Sequence, residues 1–444
     1  MTTTDPGVSD AADMVNLGDA ELMRDPFSAY ARIREQAPLV QAVMPGVEPG
    51  WLVTRYDDVK MVMGDPRFVH DPRNVPGTGV RDLREQVQRA RGMPPEFMET
   101  WLTGMIEVDG ADHARLRGLV SHAFTMRGVA RLRPRVEQIT EDLLDRLPDM
   151  AEHGVVDLIR HFAYPLSSTV LCELVGIPEE DRQQWQEWRA VVQAINGSGK
   201  VEAWRKVFGY IQELIERRRM DPADDLITEL VRANSGASAG RSEVTDDNRV
   251  SDTEMTMMIV MLGLTSHQTA HLIGNGTVAL LTHPRQLALL RENPELMPRA
   301  VNEMLRWCSP TQVTPRLRYA TEDVEIGGMP VRQGEAAWMV LAAANHDPRR
   351  FAGPERFDIT RDLDRGGRET HVAFGHGPHH CIGSALARLE GEVVFERLPR
   401  RYSDLALAVA PEQLEREPLP GHWRLAALPV RLGRSSASQP SEGG

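Results

Sequence analysis

The stretch from Ser251 to His283, SDTEMTMMIVMLGLTSHQTAHLIGNGTVALLTH, constrains this chain more than any other. Apolar residues fall on most sides of a helical wheel, and no proline enters before Pro284. SDTE at its start fits a capping box, with Ser251 as cap and Glu254 reaching back. A helix over the whole stretch spans roughly 50 Å at about 1.5 Å per residue. A helix that long and that apolar must run through the middle of a protein. The fold therefore has to be built around it.

The rest of the chain agrees with a largely helical fold. Val129 to Leu147, Gln183 to Ile195 and Ala203 to Met220 carry apolar residues at helical spacing. Short β-like pieces, GWLVTRYDDV, DVEIGGMPV, AAWMVLAA and LPVRLG, are bounded by Gly, Pro and Asp. The expectation is a mainly α protein with a smaller β-rich subdomain, an α+β fold. It forms one catalytic domain over residues 1–434, with β-rich parts near 38–70 and 311–345. Residues 233–249 read as a solvated loop and 435–444 as a disordered tail.

Composition narrows the function. The net charge of −13 argues against nucleic acid, whose binders carry a basic footprint. Three widely separated cysteines, Cys172, Cys308 and Cys381, argue against a disulfide framework and for a reducing, cytoplasmic setting. The first residues show neither a basic nor an apolar leader region, and no run of 18 apolar residues is present, so neither a signal peptide nor a membrane span is expected. A monomer is the default.

The chemistry concentrates at HVAFGHGPHHCIGSALARLEGEVV, His371 to Val394. Three readings compete for its cysteine. It is a buried structural residue, a zinc ligand beside the imidazoles, or a thiolate ligand to haem iron. Structural zinc usually takes four ligands in paired spacings, and no second pair stands elsewhere. Phe374-Gly375-His376-Gly377-Pro378-His379-His380-Cys381-Ile382-Gly383 matches F-G-x-G-x-H-x-C-x-G. Here the chain resembles the cytochrome P-450 superfamily of haem-thiolate monooxygenases.

That resemblance implies a triangular-prism fold and haem b held through Cys381 as axial ligand. Glycines Gly375, Gly377 and Gly383 permit the tight turn. A helix N-terminus favours thiolate over thiol. Phe374 packs by the sulfur and excludes water. A thiolate opposite dioxygen favours O–O cleavage. Other motifs follow in the family's order. Glu303 and Arg306 make E-x-x-R, and with Arg356 of GPERFD they imply a buried triad supporting the haem loop. His113 and Arg117 of H-x-x-x-R, with Arg318 and His379, are implied as haem-propionate partners.

The resemblance departs at the long helix, where the family carries an acid and an alcohol that relay protons. Aligned on LIGNG, this chain has His267 in the acid position and Gln268 in the alcohol position. A rival register takes Gly263 as the motif glycine and Thr265 and Ser266 as the pair. Neither holds a carboxylate. His267 takes over the acid's role, a substrate hydroxyl supplies the relay, or the enzyme favours an oxidation other than simple hydroxylation. Alternatively, His267 only satisfies a hydrogen bond to a neighbouring helix. Gly263 admits a ligand or permits close helix packing.

The family lines its pocket with segments that correspond here to 70–105, 165–199, 262–268 and 311–316. The first, with Met93, Met98 and Trp101, reads as a long mobile lid suited to a bulky substrate. The implied substrate is a polyketide, macrolide or ansamycin tailored late in its synthesis; the arginines there alternatively contact a carboxylated ligand or a carrier protein. No G-x-G-x-x-G follows a strand, so electrons come from NAD(P)H through ferredoxin and ferredoxin reductase. Arg115 and Arg388 offer them a basic docking patch. Two other readings stand beside this one: a peroxide-driven haem-thiolate enzyme and a non-enzymatic haem-dependent ligand sensor.

Overall fold

The computed structural model describes residues 14–77, 79–194, 198–234, 250–265, 267–363 and 370–433. The expected tail 435–444, most of the loop expected at 233–249, and Ser266 lie outside these residues.

Helices dominate and strands form a smaller region, as the α+β expectation requires. The helix at Arg182–Gln193 and the one at Lys200–Met220 stand close to their expected bounds. The single helix expected over Val129 to Leu147 is two, Met126–Ala130 and Arg133–Arg146, with Pro134 in the first turn of the second. Proline fits there because its missing N–H has no partner to lose.

The central helix is corrected in a more telling way. It begins as expected: the Ser251 hydroxyl accepts from Glu254 N at 3.1 Å, and the Glu254 carboxylate accepts from Ser251 N at 2.8 Å. It then breaks into Asp252–Leu264 and His267–Thr282. An unbroken helix would send Gln268 N–H to the Leu264 carbonyl. Instead Gln268 N–H bonds Thr265 O at 3.2 Å. Side chains take Leu264 O: His267 Nδ1 lies 2.8 Å from it and Gln193 Nε2 2.5 Å. The Thr265 hydroxyl turns back to Leu262 O at 2.8 Å.

Both halves are enclosed all the same. Met255, Met257, Ile259, Val260 and Ile273 are inaccessible to solvent and pack in the largest core cluster with Phe162, Val207 and Val393. Burying each such side chain stabilises the fold by about 1.5–3 kcal/mol. Gly263 serves helix packing, since a Cβ there would come within 2.5 Å of the Trp185 ring.

The main sheet has six strands, ordered Val15–Asn16, Leu39–Val43, Gly50–Val53, Ala336–Met339, Arg318–Ala320 and Phe68–Val69. One of its two parallel contacts pairs Trp51 with Ala337 and Val53 with Met339. This joins sequence regions nearly 300 residues apart and brings Arg318 beside the 68–71 segment. No helix among the described residues is long and apolar enough to cross a membrane.

The segment 70–105 is no open lid. It forms helices at Leu83–Ala90 and Met98–Leu102 with Met93, Met98 and Trp101 buried. The reason is aromatic packing: Phe97 stacks on Phe208 with centroids 4.2 Å apart, and Trp101 meets Trp204 edge-on at 5.6 Å.

Candidate active site

The loop carrying Cys381 is shaped by backbone bonds that only particular residues allow. Cys381 N–H donates to Phe374 O at 2.9 Å, and His380 N–H donates to Gly377 O at 3.0 Å. Gly375 and Gly377 have φ of 77° and 75°, the left-handed region that disfavours side chains. At Gly377 space is also lacking, because a Cβ would stand 2.5 Å from the Met63 carbonyl. Cys381 precedes the helix Ser384–Arg401 by three residues, at its positive end.

Of the three cysteines, Cys172 and Cys308 are buried and Cys381 is exposed; none forms a disulfide. Burial pushes the Cys308 thiol up to about 12 and raises Cys172, marking both as inert core residues. The reading of Cys381 as a buried structural residue therefore fails. Among the described residues no three His, Cys, Asp or Glu side chains are grouped to hold a metal ion, which removes the basis for the zinc reading. Phe374 lies beside the loop with the Arg388 guanidinium 5.0 Å from its ring centre.

Four groups singled out for haem propionates stand near one another. The rings of His113 and His379 are 3.9 Å apart, and His70, which sequence reasoning missed, is 4.3 Å from His379. Among the described residues the buried Arg318 makes only long contacts, to Phe68 O at 3.3 Å and Met63 O at 3.4 Å, and its Nε has no partner. Arg117 sits close enough to feel the charge of the Cys381 sulfur. The carboxylate these groups face is Asp109, already accepting from His70 N at 2.9 Å and Asp71 N at 2.8 Å. Burial pushes Arg318 down to about 10, and burial with His379 and Arg117 pushes His113 down to about 4. Two guanidiniums and neutral imidazole donors, short of negative charge and with one unpaired donor among the described residues, fit two carboxylates. Haem with its propionates suits this donor set.

The loop is anchored from behind. Glu303 and Arg306 are fully buried and joined twice, Nε to Oε2 at 2.7 Å and Nη2 to Oε1 at 2.8 Å. Arg306 Nη1 donates to Asn345 O at 2.9 Å and Pro354 O at 2.8 Å. Asn345 Oδ1 then accepts from Val372 N at 2.8 Å, tying the pair to the start of the cysteine loop. The triad expected with Arg356 is corrected. The Arg356 side chain is 75% exposed and faces Asp358 at 3.6 Å; only its carbonyl meets Arg306. Arg361 approaches Glu303 instead, at 3.4 Å. The GPERFD turn directs the Arg356 side chain outward, while Asp358 N–H donates to Glu303 Oε1 at 3.0 Å and the Arg361 side chain approaches the same carboxylate.

At the break in the central helix, His267 is enclosed by donors. Arg424 Nη2 lies 2.5 Å from its Nε2, and Gln193 Nε2 lies 2.9 Å from its Nδ1. A guanidinium only donates, so Nε2 carries the lone pair and Nδ1 carries the proton, directed to Leu264 O. Burial, then Arg424 and Arg189, hold its pKa well below 6.5. Gln193, on the helix Arg182–Gln193, meets His267 through the Leu264 carbonyl to which both donate. Gln268 Oε1 is buried and has no partner among the described residues, so it can accept a bond from water or ligand. Arg424 and Gln193 carry no sequence signal; they lie 157 and 74 residues from His267.

Comparison with known proteins agrees with this geometry. The cytochrome P450 family model matches residues 188–420. The chain is 39% identical over 432 residues to cytochrome P450 107B1 of Saccharopolyspora erythraea, covering 95% of this chain and 98% of that one. It is 40% identical over 420 residues to 6-deoxyerythronolide B hydroxylase of the same organism, covering 92% and 96%. The solved structure of the tirandamycin C-bound P450 monooxygenase TamI superposes with a TM-score of 0.82 at 35% identity, over 94% of this chain and 100% of that one.

Proposed function

The chain belongs to the cytochrome P450 family, and on that premise we propose that it is a haem-thiolate monooxygenase of secondary metabolism, acting on a bulky polyketide or macrolide. The observation that carries this reading is the exposed Cys381 at the mouth of the helix Ser384–Arg401, beside a buried cationic cluster short of anions. The names of 6-deoxyerythronolide B hydroxylase and of the TamI complex support the substrate class.

In this reading Cys381 would hold the iron of haem b, and Arg117, Arg318, His113 and His379 would hold its propionates. Bound there, haem would supply dioxygen activation, one oxygen atom going to substrate and the other to water. Two electrons come from NAD(P)H through ferredoxin and its reductase, and two protons come from solvent. This chain's own residues set where those protons enter. Gln268 holds an ordered water through its unpartnered Oε1. His267 positions the break in the helix and keeps Arg424 in place, since its Nε2 lone pair is already taken. With no acid in the His267–Gln268 pair, the proton for oxygen cleavage comes from that water or from a substrate hydroxyl. An oxidation other than simple hydroxylation is the corresponding outcome when neither serves.

The test is the reduced, carbon-monoxide-bound spectrum of the purified holoprotein. A Soret band at the position diagnostic of thiolate ligation, lost in Cys381→Ser, supports the assignment. A band at the position typical of histidine ligation overturns it. Turnover with NADPH, ferredoxin and reductase, against none with peroxide alone, distinguishes the monooxygenase from a peroxide-driven enzyme or a sensor.

A further inference from the structure

We propose that Tyr164 and His271 hold a buried water against Gln268 and supply it with protons from solvent. The inference rests on the P450 reading above and adds two positioning residues to it.

The site begins with a close approach of two segments. A π turn at Ile159–Ala163 leads into the helix Tyr164–Val175 and packs on the second half of the central helix. Gly274 permits the approach, since a Cβ there would come within 2.5 Å of Ile159 Cδ1. Isolated π turns frequently mark functional sites. This one sets the Tyr164 hydroxyl 2.8 Å from His271 Nε2. The two rings meet edge to face with centroids 5.4 Å apart.

His271 is inaccessible to solvent, and its other nitrogen, Nδ1, is buried with no partner among the described residues. Gln268 Oε1 is buried in the same condition. The two residues stand three apart in the helix His267–Thr282. Their side chains therefore share a face, with Cβ atoms about 5–6 Å apart. Two buried polar atoms left unbonded are costly. One water bonded to both removes that cost.

The bonds can run in one direction throughout. An amide oxygen only accepts, so the water donates to Gln268. His271 Nδ1–H donates to the water, which leaves the Nε2 lone pair to accept from the Tyr164 hydroxyl. The water keeps a second proton for the reaction at the helix break. When it gives that proton up, Nδ1 passes one to the water and Tyr164 passes one to Nε2. Solvent then replaces the phenol's proton. No electrons move, and the net transfer is one proton from solvent. Burial and Arg424 push His271 down to about 2, so the ring passes its protons without becoming imidazolium. Tyr164 is partly exposed where His271 is not, so the chain leads from solvent to the break. His267 is not on this path, because Arg424 occupies its Nε2.

Two experiments test the site. A high-resolution crystal structure of the ferric holoenzyme should show a water within about 3.2 Å of both Gln268 Oε1 and His271 Nδ1. Tyr164→Phe keeps the ring against His271 and Arg189 and removes only the hydroxyl. With NADPH, ferredoxin and reductase and no added substrate, peroxide formed per NADPH should rise about twofold or more in this variant. His271→Gln should raise it as well, since an amide holds a water but relays no proton near neutral pH. No water bonded to both atoms, or a peroxide yield unchanged in Tyr164→Phe, would overturn the proposal. The carbon-monoxide spectrum of the same samples reads the haem-thiolate assignment separately, so failure of one is distinguishable from failure of the other.

Discussion

Arg424 Nη2 stands 2.5 Å from His267 Nε2, and that contact determines what the histidine can do. A residue that would be a proton donor in solution becomes an acceptor, neutral and oriented. Gln193 and Leu264 O close its other side.

Removing that cation should therefore change the pH response and not simply the rate. In the wild type, product formed per NADPH is expected to be flat across mildly acidic pH, because His267 does not titrate there. Arg424→Gln removes a source of the depressed pKa, so coupling should acquire a dependence on pH as His267 begins to protonate. Gln268→Ala should raise peroxide leak by several-fold at all pH values. Coupling measured against pH in the three proteins checks this; identical profiles would refute it.

The anchor behind the cysteine loop gives a graded expectation. Glu303→Gln leaves Arg306 buried without a counter-charge and should cost about 3–5 kcal/mol. Arg361→Ala removes a long contact at the edge of the same carboxylate and should cost about 1 kcal/mol. Arg356→Ala should lie within about 0.5 kcal/mol of the wild type, since its side chain is solvated. Thermal unfolding of the three, with the haem content of each, tests the order.

Gly377 and Gly383 should respond differently to alanine. At Gly377 the added methyl meets both a positive φ and the Met63 carbonyl, so the loop must move. A loss of about 2 kcal/mol or more, with poor haem retention, is expected. At Gly383 the nearest atom is Cys381 Sγ at 3.9 Å. Gly383→Ala should keep haem and shift only the Soret band. Haem retained equally in both variants would contradict the role given to Gly377.

Buried neutral histidines make the fold acid-sensitive. Burial and Arg318 hold His70 well below 6.5, and burial and Arg424 take His271 down to about 2. The unfolded chain binds protons at these sites near pH 6.5, while the folded chain does not. Stability is therefore full above about pH 6.5 and falls below it. Each group contributes up to about 1.4 kcal/mol per pH unit. Tm measured between about pH 7.5 and 5.5 should drop steeply below the midpoint, and less so in His271→Gln.

Much of this was legible in the order of residues alone. The cysteine loop shows itself because its constraints are local: a turn needs glycine at fixed offsets, and a thiol must meet a helix end. The Ser251–Glu254 cap is legible for the same reason, as is the i,i+3 pairing of Glu303 with Arg306. Helical periodicity likewise carries the α-rich fold. What the sequence could not decide lies in contacts between distant segments. The sequence pointed to Arg356 as the partner of Glu303; the path of the turn puts that side chain in solvent and brings Arg361 near instead. The central helix reads as continuous because its apolar pattern is continuous, yet Gln193 and His267 compete for the Leu264 carbonyl and break it. His267 reads as an acid because imidazole usually is one. The protonation of a buried group depends on the field around it, and that field comes from Arg424 and Arg189, brought there by the fold.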